Sequence, residues 1–348
     1  MKGILARFIL IFSLVLSTTG CNPPQTQPTP SKTPQQTVQT KTQAFYYTAN
    51  EGGSITKIDA STNTVVNTIS INGIVHNIQV SPDGSMVGAT LVPKMQHGAS
   101  MEMKGSALFY DTTNDKLIKQ VQVGNHPAHI VFSKDKQYAL VSNNEDNNVT
   151  VIDMKTFEVK TTIATGKMPH GFRISADSKF AYVANMGEDT VSVLDLVNMK
   201  ESQKIKVGST PVTTGISPDG KTLFATPNAE NSLSIIDLST GKVVKVPVGE
   251  GPAQLYVQGN GQYVYVANQG TEQKPSNTVS KVDVSNQKVT STIQTGKGAH
   301  GVVVSPDDKI VYITNMYEDS VSVIDTSQDK VIKTVKVGKT PNGISYKL

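Results

Sequence analysis

From residue 44 onward, apolar and polar residues alternate in short runs, and each run ends in a polar turn. Successive side chains of a strand point to opposite faces, so this pattern predicts short, half-buried β-strands. Residues 166–207 show the unit. One strand is predicted at 171–175, a tight polar turn at 176–179 and a second strand at 180–184. A loop follows at 186–189, then a third strand at 190–194 and a fourth at 204–207. Turns elsewhere read SPDG, at 81–84 and 217–220, with Pro and Gly where a β-turn accepts them. No helical period follows residue 21.

The unit recurs. Asp59, Asp111, Asp153, Asp195, Asp237, Asp283 and Asp325 each close a similar stretch, at gaps of 52, 42, 42, 42, 46 and 42 residues. A fixed period near 42 means one supersecondary unit copied seven times. Four antiparallel strands per copy predict an all-β, seven-bladed β-propeller. Inner strands are expected to begin at Gly73, Gly124, Gly166, Gly208, Gly249, Gly296 and Gly338. Only PNGISYKL follows the last glycine, while the missing outer strands stand at 45–72 as FYYTAN, SITKID and VVNTISI. Closure is therefore expected to pair the C-terminal strand with the N-terminal hairpin, which hides the edges that an open array exposes.

YVAN (182–185 and 265–268), YITN (312–315) and YTAN (47–50), followed by VSVID-like strands and SPDG turns, carry a resemblance. They resemble the YVTN repeats of YncE-like β-propellers across 44–348. The resemblance implies the propeller fold. It implies no single activity, because such repeats occur in surface-layer proteins, DNA-binding periplasmic proteins and enzyme domains. The absence of Trp disfavours the WD-repeat family.

The first 43 residues read differently. Lys2 and Arg7 precede an apolar run from Ile9 to Leu16, and residues 1–20 are expected to be a lipoprotein signal peptide. The run ends in Ser17-Thr18-Thr19-Gly20-Cys21, which resembles a lipobox with Thr18 where Leu is usual. Cys21, the only cysteine, is the expected lipidation site. Residues 21–43 then form a lipidated Cys and a Pro/Gln/Thr-rich tether with too little apolar mass for a core. At about 3.1 Å per residue it would hold the head up to ~70 Å from a bilayer. The expected location is the extracytoplasmic side of a cell membrane, reached through the lipid on Cys21. Without Lys2 and Arg7 the formal charge falls from +4 to +2. The remaining positive charge is almost all Lys, with Arg173 the single Arg. Arginine is the usual reader of phosphates and bases, so nucleic acid is disfavoured as a partner without being excluded.

Repetition points to structure. The seven strand-ending Asp residues, and Asn50, Asn143, Asn185, Asn268 and Asn315, are expected to fold their own turns. Chemistry is sought where the copies differ. His76, His126, His129, His170 and His300 fall in or just before inner strands, and His97 falls in a loop on the same face. His76, His170 and His300 each stand five residues before the turn Ser, and His129 four. Crowding of inner strands about the axis would bring His76, His129, His170 and His300 to one mouth. The first copy carries an insert, VPKMQHGASMEMKG, holding Met95, His97, Met101 and Met103. Thioether sulfur suits Cu(I) and imidazole suits Cu(II), so these eight residues are the candidate copper ligands. Pro-His-Gly (169–171) and Ala-His-Gly (299–301) also resemble a plain Pro-x-Gly turn, which leaves a structural role open. Met168, Met186 and Met316 share the face, as do Glu51, Glu145, Asp146, Glu188, Asp189, Glu230, Glu272, Glu318 and Asp319. Lysines gather on outer strands, giving an acidic mouth and a basic wall. Arg173 is expected to pair with a carboxylate, or else to hold an anion near the axis.

No G-x-S-x-G, phosphate-cradling Gly loop or H-E-x-x-H is present. The sequence thus favours a lipid-anchored binding module with a His/Met copper site over an enzyme. The alternatives are a propeller enzyme, either a copper oxidoreductase or a lactonase-like hydrolase, and a plain scaffold. The scaffold would bind protein, cell-wall polymer or single-stranded nucleic acid.

Overall fold

The computed structural model describes residues 43–94 and 104–347, together with residues 13, 15, 16 and 20. The propeller lies within the unit Thr42–Leu348. Its strands form seven sheets of four, antiparallel throughout. The fourth blade is typical, with strands Pro169–Ile174, Phe180–Asn185, Thr190–Asp195 and Lys200–Lys206 running from the axis outward. The innermost strands of neighbouring blades touch all the way round, so the ring is closed. Closure is made by Pro341–Lys347, which pairs with Phe45–Asn50 and supplies the inner strand of the first blade. A 3-10 turn at Asn228–Glu230 is the one departure from strand and loop among the described residues of the propeller.

Alternation places the core between blades. Val191 and Val193 of one blade pack with Leu223, Ala225 and Ile236 of the next, all at most 3 % exposed. Outer strands such as Thr64–Ser70 are exposed along nearly their whole length. Two lysines tie blades together. Lys57 Nζ donates to the Thr112 carbonyl and to Asp115, and Lys281 Nζ donates in the same way to Thr326 and Asp329. Each ammonium also lies over an aromatic ring, Phe45 at 4.6 Å and Tyr263 at 4.5 Å, a favourable cation–π arrangement.

The seven aspartates fold turns as expected. Asp237 accepts from the backbone N–H of Ser239 and Thr240, and Asp325 from those of Ser327 and Gln328. The asparagines do something different. Asn315 Nδ2 donates to Ser320 and Ser322 on the next strand, while its Oδ1 accepts from Gly296 N. The same side chain in other blades makes the same cross-strand bonds, for instance Asn185 to Thr190 and Ser192. These carboxamides cross-link strands two and three; they do not close their own turns.

One irregularity matters for function. Every inner strand breaks register with its neighbour near its start, between Pro169 and Phe172 in the fourth blade and between Ala299 and Val302 in the seventh. Such bulges re-aim side chains. Glycine makes the crowding possible: a Cβ on Gly171 would stand 2.3 Å from Thr213 Oγ1 of the next inner strand. The residue before this glycine, His170, is carried in the bulge.

Candidate functional site

The bulges bring together three histidines from consecutive blades. Ring nitrogens of His76, His129 and His170 all lie within 4.8 Å of one another. The Nε2 atoms of His76 and His170 are 3.2 Å apart. His129 and His170 are 1 % and 9 % exposed, and His76 is half-buried. His126 stands farther off, its ring centroid 6.4 Å from that of His76.

The other ring nitrogens fix the protons. His170 Nδ1 lies 3.0 Å from the Val212 carbonyl oxygen, which can only accept, so Nδ1 donates and Nε2 is left bare. His76 Nδ1 lies 2.8 Å from Glu51 Oε1. Burial opposes charge on Glu51, but hydrogen bonds from His76 and from Asn342 outweigh it and hold the carboxyl down to about 2. An ionised carboxylate accepts, so Nδ1 of His76 donates and the neutral ring presents a bare Nε2. His129 Nε2 is buried with no partner.

Two bare nitrogens facing each other at 3.2 Å repel unless a proton or a cation sits between them. A proton carried by His170 or His129 is disfavoured. Burial first, then the neighbouring His76 and His300, push His170 down to about 3. Burial likewise pushes His129 well below its ordinary value, with His170 and His76 adding to it. The spacing also fits a metal ion. A tetrahedral ion about 2.0–2.1 Å from each imidazole nitrogen keeps those nitrogens about 3.3 Å apart. Metal-bound histidines characteristically donate their second N–H to a carboxylate or a carbonyl, as His76 and His170 do here.

His300 is the expected ligand that stands apart. Its Nδ1 is 3.3 Å from Gln254 Nε2 and 3.4 Å from the Asn342 carbonyl, and it is not part of the close trio. Burial and His76 push it down to about 4. Met95, His97, Met101 and Met103 lie outside the described residues, as does Cys21. Met168 is 44 % exposed on the rim and Met316 is buried, with Gln269 Nε2 3.3 Å from its sulfur. His126 and Met168 each have positive φ, 47° and 54°, just before the first proline of an inner strand. Two other blades place Gly251 and Gly298 there, so a side chain at this point carries backbone strain.

The acidic rim is less acidic than its composition suggests. Lys204 reaches Glu188 at 3.1 Å, Lys206 reaches Asp189 at 3.3 Å and Lys245 pairs with Glu230. Outer-wall lysines therefore neutralise part of the rim. Glu51 is the exception, turned inward onto His76 and Asn342. Sequence reasoning counted Glu51 among the rim acids and missed this role, because nothing local separates it from Glu188 or Glu318. Arg173 overturns its expected carboxylate pairing. Among the described residues it makes no ion pair, and its Nη1 donates to the Phe172 carbonyl.

The depressed histidines give a pH dependence. In the unfolded chain these imidazoles protonate near 6.5, whereas folded His170 stays neutral to about 3 and His300 to about 4. The unfolded state therefore binds more protons across that window, and stability falls as pH falls. Metal-free protein is expected to lose thermal stability steadily below about pH 6.5, with His170→Gln flattening the slope. An unchanged slope in His170→Gln would show that other groups dominate.

Comparison with known proteins bears on the fold. The sequence matches the YNCE-like beta-propeller family over residues 106–303 and 259–347. No curated protein matches it. Among solved structures it is similar to hydrazine synthase from Kuenenia stuttgartiensis, at 24 % identity over 78 % of this chain and 89 % of that one, TM-score 0.67. It is also similar to a functionally unknown protein from Desulfotomaculum acetoxidans DSM 771, at 16 % identity over 87 % and 98 % of the two chains, TM-score 0.75. At such identities the likeness is one of fold. With matched segments that together run from residue 106 to residue 347 on a closed seven-bladed ring, the chain belongs to the YncE-like β-propeller family.

Proposed function

We propose that this chain is an extracytoplasmic binding module that holds one transition-metal ion, copper, on His76, His129 and His170. One observation carries this reading: two histidines whose Nδ1 protons are committed to Glu51 and Val212 aim bare Nε2 atoms at each other. Copper is favoured because imidazole affinity for divalent first-row metals peaks at Cu(II). Three imidazoles leave a coordination position open. The insert bearing Met95, His97, Met101 and Met103 supplies thioether and imidazole donors suited to either oxidation state. His300 belongs to the surroundings of the site, beside Gln254 and the Asn342 carbonyl.

Anchoring through a lipid on Cys21, with 22–43 as tether, would put the propeller in an oxidising compartment. Lysine-rich outer strands then face a protein or cell-wall polymer partner. Support for this part is the lipobox-like SerThrThrGlyCys run and the composition of the tether.

The test is metal retention. Full-length protein loaded with Cu(II), then dialysed against metal-free buffer, is expected to keep about one equivalent, as a site with a high-affinity imidazole set should. Retention below about a tenth of an equivalent would remove the metal from the proposal.

A further inference from the structure

The opposite end of the axis holds a second set of groups that the metal site does not use. Inner strands lead there into the turns Ser81–Gly84, Ser217–Pro218 and Ser305–Pro306, which border two adjoining cavities of about 370 and 260 Å³. Both cavities are lined by Gln79, Lys134, Arg173 and Tyr256. Arg173 is the only arginine beyond residue 7 in a chain that otherwise uses lysine. One of its nitrogens bonds its own neighbour's carbonyl, and no carboxylate among the described residues lies within ion-pair distance. Burial draws the guanidinium pKa below its ordinary value, with the neighbouring Tyr256 opposing the shift. The Gln79 amide, the Tyr256 hydroxyl and the Lys134 ammonium make no protein hydrogen bond among the described residues, so four donors are left for a ligand.

We infer that this cavity binds an organic monocarboxylate, with the guanidinium of Arg173 taking the carboxylate through paired N–H donors. The planar fork of arginine matches a carboxylate. Val80, Val303, Ile344 and the Tyr256 ring offer apolar wall for the rest of the molecule. The volume suits a small ligand. Asp83 and Asp308 also line the cavity and set the charge limit. Asp83 is occupied by Ser81, Ser85 and Lys136, and Asp308 by the N–H groups of Gly259 and Asn260. Neither is free to pair with Arg173, yet both are negative. They offset two of the three cations that line the cavity, Arg173, Lys134 and Lys347, and the single positive charge that remains is balanced by a singly charged carboxylate better than by a multiply charged anion such as phosphate.

The near absence of arginine provides a clean readout. In full-length, copper-free protein labelled with ¹⁵N-arginine, only Arg7 and Arg173 give side-chain signals, and Arg7→Lys identifies which is which. Titration with benzoate is expected to shift the Arg173 signal to saturation, with a Kd of about 1 mM or tighter. Benzamide, equal in shape and uncharged, is expected to shift nothing, and inorganic phosphate to bind at least about tenfold more weakly. Lys134→Gln, an exposed change that leaves the core intact, should weaken benzoate by about 1.5- to 5-fold. The inference is overturned by a benzoate response that does not saturate below about 10 mM, by benzamide or phosphate binding as tightly, or by Lys134→Gln leaving affinity unchanged. Because copper is absent, failure here says nothing against the metal site, and loss of the metal site says nothing against this one.

Discussion

A chain ending at Thr340 does not hold its ring. Those last residues contribute the whole inner strand of the first blade, paired from Phe45↔Lys347 to Asn50↔Pro341. Their loss exposes the edge of Phe45–Asn50 and opens the contact between the second and seventh blades at the axis. It also removes Tyr346, whose ring lies 5.7 Å from that of Tyr312, and Ile344 at 8 % exposure. Buried partners are orphaned: Val80 N loses Ser345 Oγ, and Thr314 Oγ1 loses the Asn342 carbonyl. Each orphaned group costs about 1–3 kcal/mol and each lost large apolar side chain about 2–5 kcal/mol. Together these reach the 5–15 kcal/mol or so that separates a folded domain from its unfolded chain. Truncation of residues 341–348 is therefore expected to abolish the cooperative thermal transition seen by circular dichroism. A transition within about 5 °C of the full chain would show that the ring does not depend on this strand.

That closure was legible from the chain ends, because seven inner strands were counted and one lacked outer partners at the C-terminus. The blades were legible for a similar reason: a strand-ending Asp folds a turn through local bonds that do not depend on the rest of the ring. Non-local features were not legible. Each inner strand carries a bulge that re-aims its side chains, and His129, one position out of step with His170, joins it there. Glu51 resembles any rim acid in sequence, yet it turns inward because Asn342 of the closing strand meets it there. His300 occupies the same repeat position as His170, but the Gln254 side chain and the Asn342 carbonyl stand beside its Nδ1. Arg173 was expected to find a carboxylate, and the two nearest the cavity, Asp83 and Asp308, were already engaged by turns.

Replacing His170 by Ala is expected to weaken copper binding by more than about 100-fold, and Glu51 by Gln by about 10- to 100-fold. His170 supplies a nitrogen to the ion itself. Glu51 supplies only the acceptor that orients His76 and makes it more basic. The fold should survive both, since His170 stands at the start of an inner strand and Glu51 in the turn after Phe45–Asn50. A competition titration against a copper chelator separates the two effects, and circular dichroism checks the fold. Equal affinities in wild type and His170→Ala would remove His170 from the site, whatever the total copper content.

The most direct measurement is pulsed electron paramagnetic resonance of the Cu(II)-loaded full-length protein, which counts coordinated imidazoles through their remote nitrogens. Three are expected in the wild type and two in His170→Ala. One or none in the wild type, or an unchanged spectrum in His170→Ala, would contradict a copper ion held by His76, His129 and His170.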